Sequence, residues 1–151
     1  MNNGFKYGLI VFAVLMFACC GGFMYLLSPV SAVVSKREAE AKNFGDTYTK
    51  QILRDYSAKT LTTLSTKEYK SAFTLDQFQK TLDGNNKALG EFQSGKGRAT
   101  ISNAERKGKD PIIRAKYENR ATFQKGKARV RLDLILKDNI WQIEMFSIEP
   151  A

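Results

Sequence analysis

The sequence predicts an α+β fold: an N-terminal transmembrane helix, then helices packed on a curved antiparallel sheet of about four strands. Three observations predict it. A charge-free run from Tyr7 to Val34 opens the chain. Apolar residues then recur every three or four positions as far as Leu89, the period of a helix. From Arg98 onward they alternate with polar residues, the period of a strand.

Tyr7–Leu27 is mostly large apolar side chains. As a helix it is about 31 Å long, against a bilayer core of about 30 Å. Lys6 is the only charge before it, and Lys36 and Arg37 follow at once. The expected organisation is a single-pass anchor over residues 1–34, in lipid contact along residues 7–34 of the cell membrane, and one domain over residues 35–151. A cleaved signal peptide has a shorter apolar core of roughly 7–15 residues, although Val30-Ser31-Ala32 offers a cleavage site. A lipoprotein signal would use Cys19 or Cys20, yet Leu15-Met16-Phe17-Ala18 is a poor lipobox and apolar sequence continues past it. A pilin-like leader cut after Gly4 would want Glu where Leu9 stands. For orientation, Lys36, Arg37 and Lys42 point mildly to a cytoplasmic domain. The six-residue tail before the run points to an extracytoplasmic one, the placement expected here.

The chain of 151 residues carries +9. Lys6 is the only charge in residues 1–34, so the domain carries +8. Such an excess favours anionic partners, whether lipid headgroup, nucleic acid or acidic protein, and it also serves solubility. The only cysteines, Cys19 and Cys20, lie in the apolar run, so the domain has no disulfide. It has no histidine either. Zinc sites of Cys/His type and His-activated nucleophiles are therefore excluded, and no cofactor or metal is expected.

Ala41, Phe44, Tyr48, Ile52 and Tyr56 form one face of a helix over Ser35–Ser57, with Lys36, Arg37, Lys50 and Arg54 off that face. Ser65-Thr66-Lys67-Glu68 and Thr74-Leu75-Asp76-Gln77 fit the capping box and open two further helices. The second carries Leu75, Phe78, Leu82 and Leu89 and ends at Gly90. Gln93–Gly97 reads as a glycine-rich turn without the spacing of a phosphate loop.

Arg98–Ala104 is predicted as a strand, and Lys107–Pro111 as a loop. In the next strand Ile113, Ala115, Tyr117, Asn119, Ala121 and Phe123 face inward. Ala128, Val130, Leu132, Leu134 and Leu136 repeat the pattern, as do Trp141, Ile143 and Met145. A turn at Lys125-Gly126 sets Phe123 opposite Ala128 and Tyr117 opposite Leu134; a turn at Asp138-Asn139 sets Leu136 opposite Trp141 and Leu132 opposite Met145. Inward residues meet inward residues throughout, which a one-residue slip would destroy. The outer face is basic, with Arg114, Lys116, Arg120, Arg129, Arg131 and Lys137. Arg120 is placed diagonal to Asp133, and Arg131 diagonal to Glu118 and Glu144. Ile135, Phe146 and Ile148 are expected to form an apolar patch on the same face.

This order of elements resembles the nuclear-transport-factor-2-like (cystatin-like) superfamily, in particular its small membrane-anchored bacterial members. The resemblance covers Ala39–Glu149. It is carried by Ile52–Tyr56, Leu64-Ser65-Thr66-Lys67-Glu68-Tyr69, Leu89-Gly90-Glu91-Phe92, and the two hairpins through Ile140-Trp141-Gln142-Ile143. It implies helices set into the concave face of a sheet, a cone. Some members are enzymes with Asp, His or Tyr inside that cone. Here the polar residues expected inside are Tyr117, Asn119 and Ser147, while Asp46, Asp55 and Glu68 are expected at the surface. A general base is hard to supply, and no enzyme is expected.

The expected function is a membrane-tethered, non-catalytic binding or scaffold module, an accessory subunit engaging a protein partner or a second copy through Arg129, Arg131, Ile135, Phe146 and Ile148. The alternative is a small-ligand binder or enzyme with a pocket at Tyr117, Asn119 and Ser147. Nucleic acid fits less well, because only Phe146 is interleaved with the basic residues of that face.

Overall fold

The computed structural model describes residues 32–107 and 110–150. The apolar run Tyr7–Leu27, both cysteines, and Gly108-Lys109 within the expected loop lie outside the described residues. None of the described helices is long and apolar enough to cross a membrane. Arg37–Ala151 makes one compact unit.

Residues 32–55 form helix α1. Its most deeply buried line is Ala41, Gly45, Thr49, Ile52 and Leu53, with Phe44 and Tyr48 half-buried beside it. The predicted stripe is thus rotated toward small residues, which bring the helix close to the sheet. Tyr56 takes φ 43°, outside the helical range, and ends α1. Its hydroxyl donates to the Gly90 carbonyl at 2.8 Å. A short helix follows at once: α2, Ala58–Leu64, capped by the Ser57 hydroxyl. The exposed polar groups of this kink are met by one amide. Gln79 donates to the Tyr56 carbonyl at 2.9 Å and accepts from Ala58 N–H at 3.0 Å.

Helix α3, Lys67–Ala72, is capped by Thr66 rather than by Ser65, so the first expected capping box does not form. Ser65 turns its hydroxyl back to the Leu61 carbonyl at 2.7 Å. Helix α4, Leu75–Leu89, has the expected box complete: Thr74 accepts from Gln77 N–H, and the Gln77 amide accepts from Thr74 N–H. Gly90 closes it at φ 73°, where a side chain would also meet Gln124. Leu75 is exposed, while Phe78 and Leu82 are buried.

Four antiparallel strands follow in sheet order β1-β2-β3-β4: β1 Phe92–Lys107, β2 Asp110–Phe123, β3 Gly126–Lys137 and β4 Ile140–Pro150. Strand β1 includes Gln93–Gly97, the expected turn. The β2–β3 pairing preserves the predicted faces but lies two residues away from the predicted register. Phe123 pairs with Gly126, Ala121 with Ala128 and Tyr117 with Leu132, so the turn is Gln124-Lys125. The turn is held there from outside the hairpin. Gln124 N–H donates to the Glu91 carbonyl and Lys125 N–H to the Leu89 carbonyl, each at 2.9 Å. A shift of two keeps every side chain on its face.

The β3–β4 turn is as expected: Asp138 and Asn139 both have positive φ, the geometry of a tight hairpin turn. Leu136 pairs with Trp141 and Leu134 with Ile143. A bulge between Asp133 and Leu134 then changes the pattern: Leu132 pairs with Phe146 and Val130 with Ile148. The bulge turns Phe146 and Ile148 to the helix side and Met145 and Ser147 to the outer side. This corrects the expected places of all four.

The core lies between helices and sheet. Ile52, Leu53, Leu61, Leu82, Val130, Leu132, Leu134 and Ile143 are all fully buried in it. Each such side chain stabilises the fold by about 1.5–3 kcal/mol relative to exposure. Trp141 is half-buried against this core. Both sheet edges carry cover. Thr66 N–H reaches the Ile143 carbonyl at 3.0 Å, and the Tyr69 hydroxyl accepts from Phe146 N–H at 3.2 Å. On the other edge Glu38 accepts from Ile101 N–H at 3.1 Å. Edge groups occupied in this way do not recruit a foreign strand.

Candidate functional site

Two of the three predicted pocket residues come together. Tyr117 and Asn119, two apart on β2, face the helices at 1% and 3% exposure. The Tyr117 hydroxyl donates to Asp46 Oδ1 of α1 at 2.7 Å and accepts from Asn119 Nδ2 at 2.8 Å. The other oxygen of Asp46 pairs with Lys42, one helical turn back. Ser147 is not part of this group, since the bulge sets it on the outer face opposite Arg131.

Three glycines make the arrangement possible. A Cβ at Gly45 of α1 would overlap the Tyr117 ring. One at Gly97 of β1 would overlap Asp46 and the Tyr117 hydroxyl, and one at Gly95 would overlap the Asn119 amide. The glycines of the supposed turn are thus strand residues that admit two polar side chains. Burial, and then the hydrogen bond to Asp46, push the Tyr117 phenol well above its ordinary value, so it stays protonated. The Asn119 Oδ1 atom is buried without a partner. Beside the cluster lies a cleft of about 340 Å³ lined by Asp46, Lys50, Phe92, Ser94, Gly95 and Asn119. A ligand there would meet a carboxylate and an ammonium. The Tyr117 hydroxyl donates to Asp46 and accepts from Asn119, and so holds both side chains in place. Among the described residues no cluster of His, Cys, Asp or Glu has the grouping to hold a metal ion.

The outer face differs from expectation in composition. Arg129 and Arg131 point outward as predicted, but they are engaged: Arg131 with Glu149 at 2.9 Å and with Glu118 at 3.7 Å, Arg129 with Glu118 at 3.5 Å. Glu144, in the bulge, takes Arg114 at 3.2 Å rather than Arg131. These pairs are half-exposed and contribute little to stability each. The apolar patch does not form. Phe146 and Ile148 pack toward the core, and Ile135 alone remains, 7% exposed between Arg114 and Gln142. Arg120 faces Lys96 on one side and Arg129 on the other, rather than lying near Asp133.

Asp46 and Lys50 were not candidates from sequence. Asp46 was expected at the surface, yet its side chain is about one-third exposed and bonded to a buried phenol. A signal was present: Ala41, Gly45 and Thr49, four apart, draw a line of small residues down α1 beside Asp46. No family model, curated protein or solved structure matches the chain.

Proposed function

We propose that this chain is a membrane-tethered, non-catalytic binding module of nuclear-transport-factor-2-like type, an accessory subunit that engages an acidic protein partner through the outer face of its sheet. The observation that carries the reading is the filling of the other face. Tyr117, Leu132, Leu134 and Ile143 are fully buried under the helices, so the middle of that face is occupied by core, and the polar opening near it is the cleft at Asp46 and Lys50. The outer face presents Arg98, Lys116, Arg120, Arg129 and Arg131 across three adjacent strands. Charge complementarity of this kind sets partner choice and association rate more than raw affinity.

The test is capture of partners by the full-length chain from detergent-solubilised membranes at low and high salt. Arg129→Gln with Arg131→Gln is expected to reduce capture, with unchanged thermal unfolding, and the wild-type interaction is expected to weaken as salt rises. Capture that is insensitive both to salt and to the two substitutions rejects the reading. A second reading has its own observation: the unpartnered Asn119 Oδ1 beside the Asp46–Lys50 cleft suits a small polar ligand. Asn119→Asp that abolishes an activity without unfolding would favour it.

A further inference from the structure

Near the β2–β3 turn, the outer face holds a charge arrangement that folding alone does not favour. Arg120 and Arg129 are direct cross-strand partners, and Lys96 is the partner of Arg120 on its other side. Like charges directly opposite one another destabilise a sheet. The neighbouring acids do not resolve the conflict. Glu149, opposite Arg129, is bonded to Arg131, and Glu118 is divided between Arg129 and Arg131 at 3.5 and 3.7 Å. Among the described residues Arg120 and Lys127 have no carboxylate within ion-pair distance. A concavity of about 520 Å³ lies on this row, lined by Arg120, Thr122, Lys127 and Arg129.

We infer that this concavity is a binding site for a phosphate monoester, with Arg120 as its centre. The inference goes beyond the outer-face reading above: it assigns this end of the face a ligand group of its own. The Arg120 fork, the Nη groups that Arg129 keeps beside its Nε contact with Glu118, an ammonium and a hydroxyl supply more directed donors than the two oxygens of a carboxylate use. A phosphate monoester offers three acceptor oxygens and a charge of roughly −1.5 to −2. Arginine matches it by paired N–H donors, which lysine does not. The bound dianion would also remove the Arg120–Arg129 repulsion that the free protein carries. The monoester can come from a soluble metabolite or from the headgroup of a phosphatidic-acid-like lipid.

The experiment is calorimetric titration of the full-length chain in neutral detergent. The probes are inorganic phosphate, dihexanoyl phosphatidic acid, dihexanoyl phosphatidylcholine and glutarate. Saturable, mutually competitive binding of the first two is expected, with neither of the others competing. Arg120→Ala is expected to weaken phosphate binding about tenfold and Arg120→Lys by less, because a charge-assisted fork is lost in both but a cation in only one. Lys80→Ala, on α4, is expected to change nothing. Equal affinity for the two binding probes identifies a soluble phosphate, and markedly tighter phosphatidic acid binding identifies a lipid headgroup. Absence of saturable phosphate binding, equal competition by glutarate, or binding that survives Arg120→Ala overturns the inference. If phosphate binding is absent while partner capture still depends on Arg129 and Arg131, this inference fails and the proposed function stands. If phosphate binds and capture is insensitive, the reverse holds.

Discussion

The hydroxyl of Tyr117 ties helix α1 to the middle of the sheet. It donates a hydrogen bond to Asp46 and accepts one from Asn119, with Tyr117 itself 1% exposed. Removing it in Tyr117→Phe leaves the Asn119 amide with a buried unmet donor, a loss of about 1–3 kcal/mol. The same phenol gives the fold an alkaline limit. Tyr56, Tyr69 and Tyr117 are all raised above 10.0 in the folded chain, by burial first in each case. Between the unfolded and folded values the native state therefore binds more protons than the unfolded state. Stability from these groups is complete below pH 10 and declines as pH rises beyond it. Thermal unfolding measured across that range is expected to show a steeper alkaline decline for wild type than for Tyr117→Phe. Equal slopes would mean that Tyr117 is not held neutral by its surroundings.

At the scale of elements, two glycines of the α4 region are expected to respond in opposite directions. Gly84 sits inside α4 with nothing near the place of a Cβ, so Gly84→Ala is expected to stabilise by about 0.5–1 kcal/mol. Gly90 combines φ 73° with a carbonyl that receives the Tyr56 hydroxyl, so Gly90→Ala is expected to destabilise by about 1–3 kcal/mol. Chemical denaturation of both variants checks the pair. The box at Thr74, the stop at Gly90 and the turn at Asp138-Asn139 were legible because each is decided by residues within a few positions. The bulge at Glu144 was not. It turns Phe146 toward the core, where its N–H meets the Tyr69 hydroxyl and its side chain lines a cavity with Tyr69, Phe78 and Leu82, all distant in sequence. Helix α2 was not legible for a similar reason: it is seven residues long with three threonines, which are weak helix formers, and its first turn is anchored by Gln79 from α4. The candidate site was half legible. Alternation alone placed Tyr117 and Asn119 inward, but no local pattern showed that Asp46 would reach Tyr117, or that the bulge would send Ser147 away.

For the whole molecule, the decisive prediction concerns the run Tyr7–Leu27. It contains no charged residue, and a helix of that many residues would be about 31 Å long, against a bilayer core of about 30 Å. Transfer of such a segment into lipid is favourable only while it stays uncharged. An arginine at its centre costs about 2.5–3.5 kcal/mol on insertion scales. The full chain is therefore expected to remain in the membrane pellet after alkaline carbonate washing, at uncleaved mass. Val14→Arg with Leu15→Arg is expected to move it toward the supernatant, with the domain's thermal unfolding unchanged, because both positions lie far along the chain from the Arg37–Ala151 unit. Wild-type protein in the supernatant would remove the anchor from the proposal. A product shortened after Ala32 would turn the run into a cleaved signal, and the outer face of the sheet would then meet its anionic partner free of the membrane.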